Sequence, residues 1–157
     1  MKPRLYLETT IPSYLVARPS RDIRLLADQE VTRRWWEKCR GDYDVFVAEL
    51  VLEEAARGDV EMAAARQAVL AALPQLGQTP EADALTASIL RMEIIPASAS
   101  PDAEHVALAA VHGMFYLATW NCKHIANPRN RKRLETVCEA AGFRCPNICT
   151  PYLLLGN

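Results

Sequence analysis

Apolar positions along this chain follow two different periods in turn, and that alternation predicts its elements. Leu5-Tyr6-Leu7 is a short apolar run ending at Glu8, which reads as a buried strand closed by an acid. Thr9 and Thr10 then offer an N-cap for a helix over Ile11 to Ala17, with Pro12 tolerable in its first turn. Ser20 is expected to cap a long second helix, Arg21 to about Cys39. Its Ile23, Leu26, Ala27, Val31 and Trp35 share one face at spacings of three and four. Gly41-Asp42 ends that helix, and Tyr43 to Val47 reads as the second strand. Helices are expected over about Ala48 to Arg57, stopped by Gly58, over Val60 to Leu73, stopped by Pro74, and over about Pro80 to Met92. Ser100-Pro101-Asp102 combines an N-cap, a proline at the first helical position and an acid at the next, so it predicts a helix running to Gly113. Phe115 to Thr119 reads as a third strand, Pro128 to Ala141 as the last long helix, and Ile148 to Thr150 as a final short strand.

The strands are short and apolar, helices separate them, and no Asn-Gly hairpin signal joins any two. Parallel strands need crossovers, which the helices supply. The expectation is one α/β domain over residues 1–157, a three-layer fold with a central parallel sheet of four or five strands flanked by helices. In such folds ligands bind beyond the carboxyl ends of the strands. That rule points to the residues after Leu7, Val47 and Thr119.

Oxygen-bearing side chains gather at those positions. Glu8 ends the first strand, Glu49, Glu53 and Glu54 follow the second, and Thr119-Trp120-Asn121 ends the third, with Asp102 opening the helix before it. Carboxylates brought together persist only where a metal or a proton offsets their repulsion. Hard oxygen donors select Mg²⁺ or Mn²⁺, and the chemistry that fits is metal-assisted phosphodiester hydrolysis. Singly, most have plainer accounts: a helix dipole for Asp102, a solvated face for the glutamates, a turn for Asn121. Glu8, an acid ending a buried strand, is the exception. His105 lies one helical turn from Asp102 on the same face. It reads either as a group that touches substrate or orients Asp102, or as a hydrogen-bonded structural histidine. His112 and His124 stand at no metal-binding spacing with it.

Composition narrows the classes. Half of the 157 residues are hydrophobic and 24% are charged, the balance of an ordinary globular protein rather than a disordered one. Apolar runs stay far below the ~20 residues of a spanning helix, and Met1-Lys2-Pro3-Arg4 leads into a strand rather than a signal-peptide core. A cytoplasmic protein, neither membrane-embedded nor secreted, is expected. Five cysteines without a secretory context or a Cys-x-x-Cys pair read as reduced thiols, not zinc ligands. The glycines cannot form Gly-x-Gly-x-x-Gly or a Walker loop, and no Gly-x-Ser-x-Gly elbow exists. Eighteen basic against nineteen acidic residues give a net charge of −1, which offers no bulk signal for nucleic acid. Position changes that picture: Lys123, Arg129, Arg131, Lys132 and Arg133 occur without an intervening acid, a basic rim suited to a polyanionic substrate.

Four segments carry a family resemblance: Leu5-Tyr6-Leu7-Glu8-Thr9, Glu49-Leu50-Val51-Leu52-Glu53-Glu54 through Gly58, Asp102-Ala103-Glu104-His105-Val106-Ala107-Leu108-Ala109, and Tyr116-Leu117-Ala118-Thr119-Trp120-Asn121. In this order they resemble the PIN-domain family, which includes the VapC-like toxin ribonucleases of type II toxin–antitoxin systems. The resemblance implies a Mg²⁺- or Mn²⁺-dependent nuclease acting on RNA, a small antitoxin partner and a homodimer. It places the acids of the site on Glu8, on Glu54 (four residues before Gly58) and on Asp102, with Asn121 at the fourth position. Thr9 and Thr119 take hydroxyl positions that help hold the cluster. Two departures matter. Glu8 stands where aspartate is usual and reaches one methylene further. Asn121 is neutral where aspartate is usual, leaving three strict carboxylates and favouring one ion over two. A second reading is therefore a PIN-like RNA- or protein-binding module with a weakened or inactive metal site. Trp35 and Trp36 offer an apolar surface for a dimer or, equally, pack into the chain's own core.

Overall fold

Five short strands, all parallel, make one sheet in the order β3-β2-β1-β4-β5 in the computed structural model, which describes residues 1–156. The strands are β1 (Arg4–Leu7), β2 (Asp44–Ala48), β3 (Gln75–Leu76), β4 (Tyr116–Ala118) and β5 (Asn147–Cys149). The helices are α1 (Thr10–Val16), α2 (Ile23–Cys39), α3 (Glu49–Ala55), α4 (Val60–Leu70), α5 (Pro80–Arg91), α6 (Ser100–Val111), α7 (Pro128–Ala140) and α8 (Pro151–Leu154). This is the expected three-layer α/β arrangement, with five strands.

The first strand in sequence is the middle strand in space. Tyr6 pairs with Phe46 on one side and Leu117 on the other. With helices covering both faces, Leu5, Tyr6 and Leu7 are all fully buried, which is why β1 reads as a continuous apolar run and not an alternating one. Its end delivers Glu8 to the centre of the sheet's carboxyl edge. Helix α6 is buried on nearly every side, from Ala103 through Ala110 except Glu104, and four of those positions are alanine. Small side chains let it pack closely on its neighbours and carry His105 into the interior.

Several boundaries differ from expectation for local reasons. Asp22, not Ser20, caps α2: its carboxylate accepts from the N–H groups of Arg24 and Leu25 at 2.9 and 3.1 Å. Ser20 instead accepts from the Asp22 N–H at 3.1 Å. Ser100 lies inside α6, which is entered through a 3₁₀ turn over Ala97–Ala99 and has no side-chain cap. Helix α4 stops at Leu70, short of Pro74, because the chain turns there into β3, a strand of two residues. Gly58 and Gly113 follow α3 and α6 in the left-handed region, at φ +84° and +67°, as helix-terminating glycines do. Trp35 is fully buried, whereas Trp36 is half-buried under the Arg40 guanidinium at 4.7 Å. The two indoles therefore do not form a shared outward face. Among the described residues no helix is long and apolar enough to cross a membrane.

Candidate functional site

Glu8 leaves the end of β1 and is held by everything around it. Its N–H continues the pairing with β4 by donating to the Ala118 carbonyl at 3.1 Å, and its own carbonyl accepts from Ile11 N–H at 3.0 Å, opening α1. The side chain is only 4% exposed. Its Oε1 accepts three hydrogen bonds: Thr10 N–H at 3.1 Å, Thr10 Oγ1 at 2.5 Å and Thr119 Oγ1 at 2.6 Å. No lysine or arginine pairs with it among the described residues.

Glu54, on α3, accepts at Oε1 from Thr9 Oγ1 at 2.7 Å and meets His105 Nε2 at 2.6 Å. The other imidazole nitrogen, Nδ1, lies 2.7 Å from the Tyr6 hydroxyl. A chain Tyr6–His105–Glu54–Thr9 thus runs from the core to the site. Burial is the strongest single influence on both charged partners and works against ionising either. The hydrogen bond and attraction between them outweigh it, so Glu54 is held below the usual carboxylate range and His105 above the usual imidazole value. Burial, then the charges of Glu8, Glu54 and Glu104, push the Tyr6 hydroxyl well up. The charges of Glu8, Glu54 and Asp102 all contribute to the rise at His105, though only Glu54 touches it.

Asp102 meets a different histidine from the one expected. Its Oδ2 lies 2.9 Å from His124 Nδ1, both side chains being about one-fifth exposed. His105 faces Glu54 instead and does not orient Asp102. His124 is positioned by Asn121, whose Oδ1 accepts the His124 N–H at 3.0 Å. That bond engages one of the two lone pairs of the Asn121 side-chain oxygen, expected as a fourth ligand, in its own turn. Thr119 links the two halves, donating to Glu8 and accepting from Asn121 N–H at 2.9 Å. Thr10 does the same on the other side, accepting from Trp120 N–H at 2.8 Å.

Sequence reasoning missed Thr10 and His124 as members of the site. Thr10 reads in sequence only as a capping choice, and His124 sits 22 residues from Asp102 with no spacing to announce it. Glu49 and Glu53 are exposed, so Glu54 alone of that helix turns inward. Of the basic residues, Lys123, Arg129 and Lys132 are exposed and form no ion pair among the described residues. Arg131 pairs loosely with Glu135 at 3.5 Å, and Arg133 donates to the Met92 carbonyl at 2.6 Å.

Whether these side chains suit a divalent cation is a question of chemistry and of arrangement. Glu8, Glu54 and Asp102 each commit one oxygen to hydrogen bonds and leave the other unengaged, an oxygen-only donor set of the kind that hard cations take. The arrangement is open, however. Among the described residues no group of three or more His, Cys, Asp or Glu side chains is placed to hold a metal ion.

No family model and no curated protein matches this chain. Solved structures do. The chain is similar to VapBC2 from Rickettsia felis bound to a DNA fragment from their promoter, with a TM-score of 0.59 at 12% identity over 93% of this chain and 97% of that one. It is also similar to FitAcB from Neisseria gonorrhoeae, with a TM-score of 0.56 at 14% identity over 94% and 98%. At these identities the likeness is one of fold, and it is the PIN-like fold that the four motifs imply.

Proposed function

We propose that this chain is a divalent-metal-dependent endoribonuclease, with Glu8, Glu54 and Asp102 holding Mg²⁺ or Mn²⁺ and with an antitoxin as its partner. The observation that carries the proposal is Glu8, an acid almost wholly buried at the centre of the sheet's carboxyl edge. The adjoining Thr9 holds Glu54, and among the described residues no lysine or arginine pairs with Glu8. A buried negative charge in that setting calls for a counter-ion. When bound, the ion would supply an activated water and stabilise charge on the phosphoryl oxygens.

The chain's own residues do the rest. Thr10 and Thr119 fix one oxygen of Glu8 and leave the other free of hydrogen bonds. His105 holds Glu54 below the usual carboxylate range, and is itself held above the usual imidazole value by that hydrogen bond. His124 sets the rotation of Asp102. Lys123, Arg129 and Lys132 would attract phosphates without reading sequence. RNA as the substrate and a homodimeric assembly rest on the motif resemblance. The antitoxin partner rests on that resemblance and on the likeness to VapBC2.

The test is cleavage of RNA by the purified protein with Mn²⁺. Glu54→Gln should reduce it by about 100-fold or more, given that even outer partners of metal ligands cost 10–100-fold. Equal rates for the two proteins would remove the reading. A binding module without catalysis is the second reading, favoured by the neutrality of Asn121 and the open arrangement of the acids. Calorimetry separates the two. A catalyst takes up Mn²⁺ and loses that uptake on Asp102→Asn, whereas a module binds RNA with no heat from Mn²⁺.

A further inference from the structure

Two clefts lie along β5, away from the acids. Two strand spacings of ~4.8 Å separate β5 from β1. One cleft, of about 540 Å³, is walled chiefly by Tyr43, Phe115, Tyr116 and Leu153. The other, of about 230 Å³, is walled by Ile125, Pro128 and Leu153. Arg131, Ile148, Cys149 and Leu153 line both, so the two are ends of one furrow. Leu153 is 64% exposed, the neighbouring Tyr152 62% and Phe115 39%, a run of large apolar side chains left facing water.

The floor of the furrow is an edge strand. Asn147 and Cys149 turn their main-chain groups inward: Asn147 N–H donates to the Phe115 carbonyl at 2.8 Å, and the Cys149 carbonyl accepts from Thr119 N–H at 3.0 Å. Alternate residues of a strand present their groups to opposite sides, so Ile148 offers its N–H and C=O outward. Among the described residues no other element takes them up. The charge is one-sided as well. Among the described residues no Asp or Glu lines either cleft, while Arg131 stands in both and Arg144 lies over the Phe115 ring at 4.9 Å. The counter-charge of Arg131 is the loosely held Glu135, with both side chains about half exposed.

We propose that this furrow docks an extended, acidic segment of a partner protein as an added strand on β5. Apolar side chains of the segment enter the two clefts, and a carboxylate meets Arg131. Charge decides between occupants. A second copy of this chain would turn a basic furrow against itself across a two-fold axis. A nucleic acid would leave the apolar walls and the Ile148 main-chain groups unused. The proposal does not depend on the reading of the acids, because binding here involves neither metal nor cleavage.

Random dodecapeptides displayed on phage, selected on the intact protein in EDTA, test it. Enriched peptides should carry an acidic residue with apolar residues two positions to either side. The synthetic form of such a peptide, followed by fluorescence anisotropy, should bind about tenfold more weakly to Arg131→Glu and to Leu153→Asp. Both changes fall at exposed positions, and unchanged circular dichroism melting shows that the variants remain folded. Failure to enrich, enrichment of peptides without acids, or equal binding to both variants would overturn the proposal. So would two other results. One is loss of single-stranded RNA binding in Arg131→Glu with peptide binding intact, which assigns the furrow to nucleic acid. The other is self-association, seen by light scattering, that Leu153→Asp abolishes.

Discussion

A carboxylate as enclosed as Glu8 is held by hydroxyls and one amide, while the His105 imidazole is spent on Glu54. The Glu54–His105 pair therefore has a visible pH signature. His105 titrates above its usual value of 6.5, so its contribution to stability is whole below that pH and fades as pH rises through the raised folded value. Glu54 titrates below its usual 4.5, so its contribution is whole above that pH and fades only as pH falls through the lowered value. The stability gap between the wild type and His105→Gln, from urea unfolding, should be widest between about pH 4.5 and 6.5 and should narrow above that window. A gap that is flat to pH 9, or that widens, would mean that His105 is neutral in the folded state. Single residues were legible in sequence where they broke a pattern. Glu8 interrupts an apolar run, whereas Glu54 is singled out from Glu49 and Glu53 only by the family resemblance, through its distance to Gly58. Thr10 and His124 break nothing, because their roles depend on Glu8 and Asp102 arriving from distant segments. The fate of Asn121 was equally hidden: the turn that occupies its oxygen forms only once β4 has ended.

Among elements, periodicity located the long ones and failed on the short ones. Helices α5 and α7 begin where a proline follows a capping side chain, Thr79 or Asn127. Strand β3 has two residues and α8 four, too few for any period to show. The start of α2 was ambiguous because Ser20 and Asp22 both suit an N-cap. Asp22 prevails because its charged oxygen accepts two of the helix's unpaired N–H groups and sits at the positive end of the dipole. Asp22→Ala should accordingly cost about 1 kcal/mol in chemical unfolding. Ser20→Ala, which removes one hydrogen bond at an exposed position, should cost less than half of that. Equal costs would show that the first turn of α2 is set by packing and not by its cap.

For the molecule as a whole, the strand order makes a site out of residues far apart in sequence, and no local pattern encodes that order. Placing β1 between β2 and β4 brings together an acid from position 8, another from α3 and a third from the start of α6. The net charge of −1 conceals a division: Glu8, Glu54 and Asp102 at the sheet's carboxyl edge, and exposed cations on α7 and the turn before it. If the acids await a cation, they repel one another until it binds, and stability must then depend on metal in opposite ways for two proteins. Wild type at 100 times the dissociation constant of Mn²⁺ should gain ~2.7 kcal/mol. For a chain of this size that raises the melting temperature by roughly 5–10 °C. Glu8→Gln keeps an oxygen to accept from Thr10 and Thr119 while removing the buried charge. In EDTA it should melt above the wild type, and Mn²⁺ should then move it little. The reverse pattern, with Glu8→Gln melting lower in EDTA and the wild type indifferent to Mn²⁺, would make the Glu8 charge an anchor for Thr10 and Thr119. The site would then be built for binding without a metal.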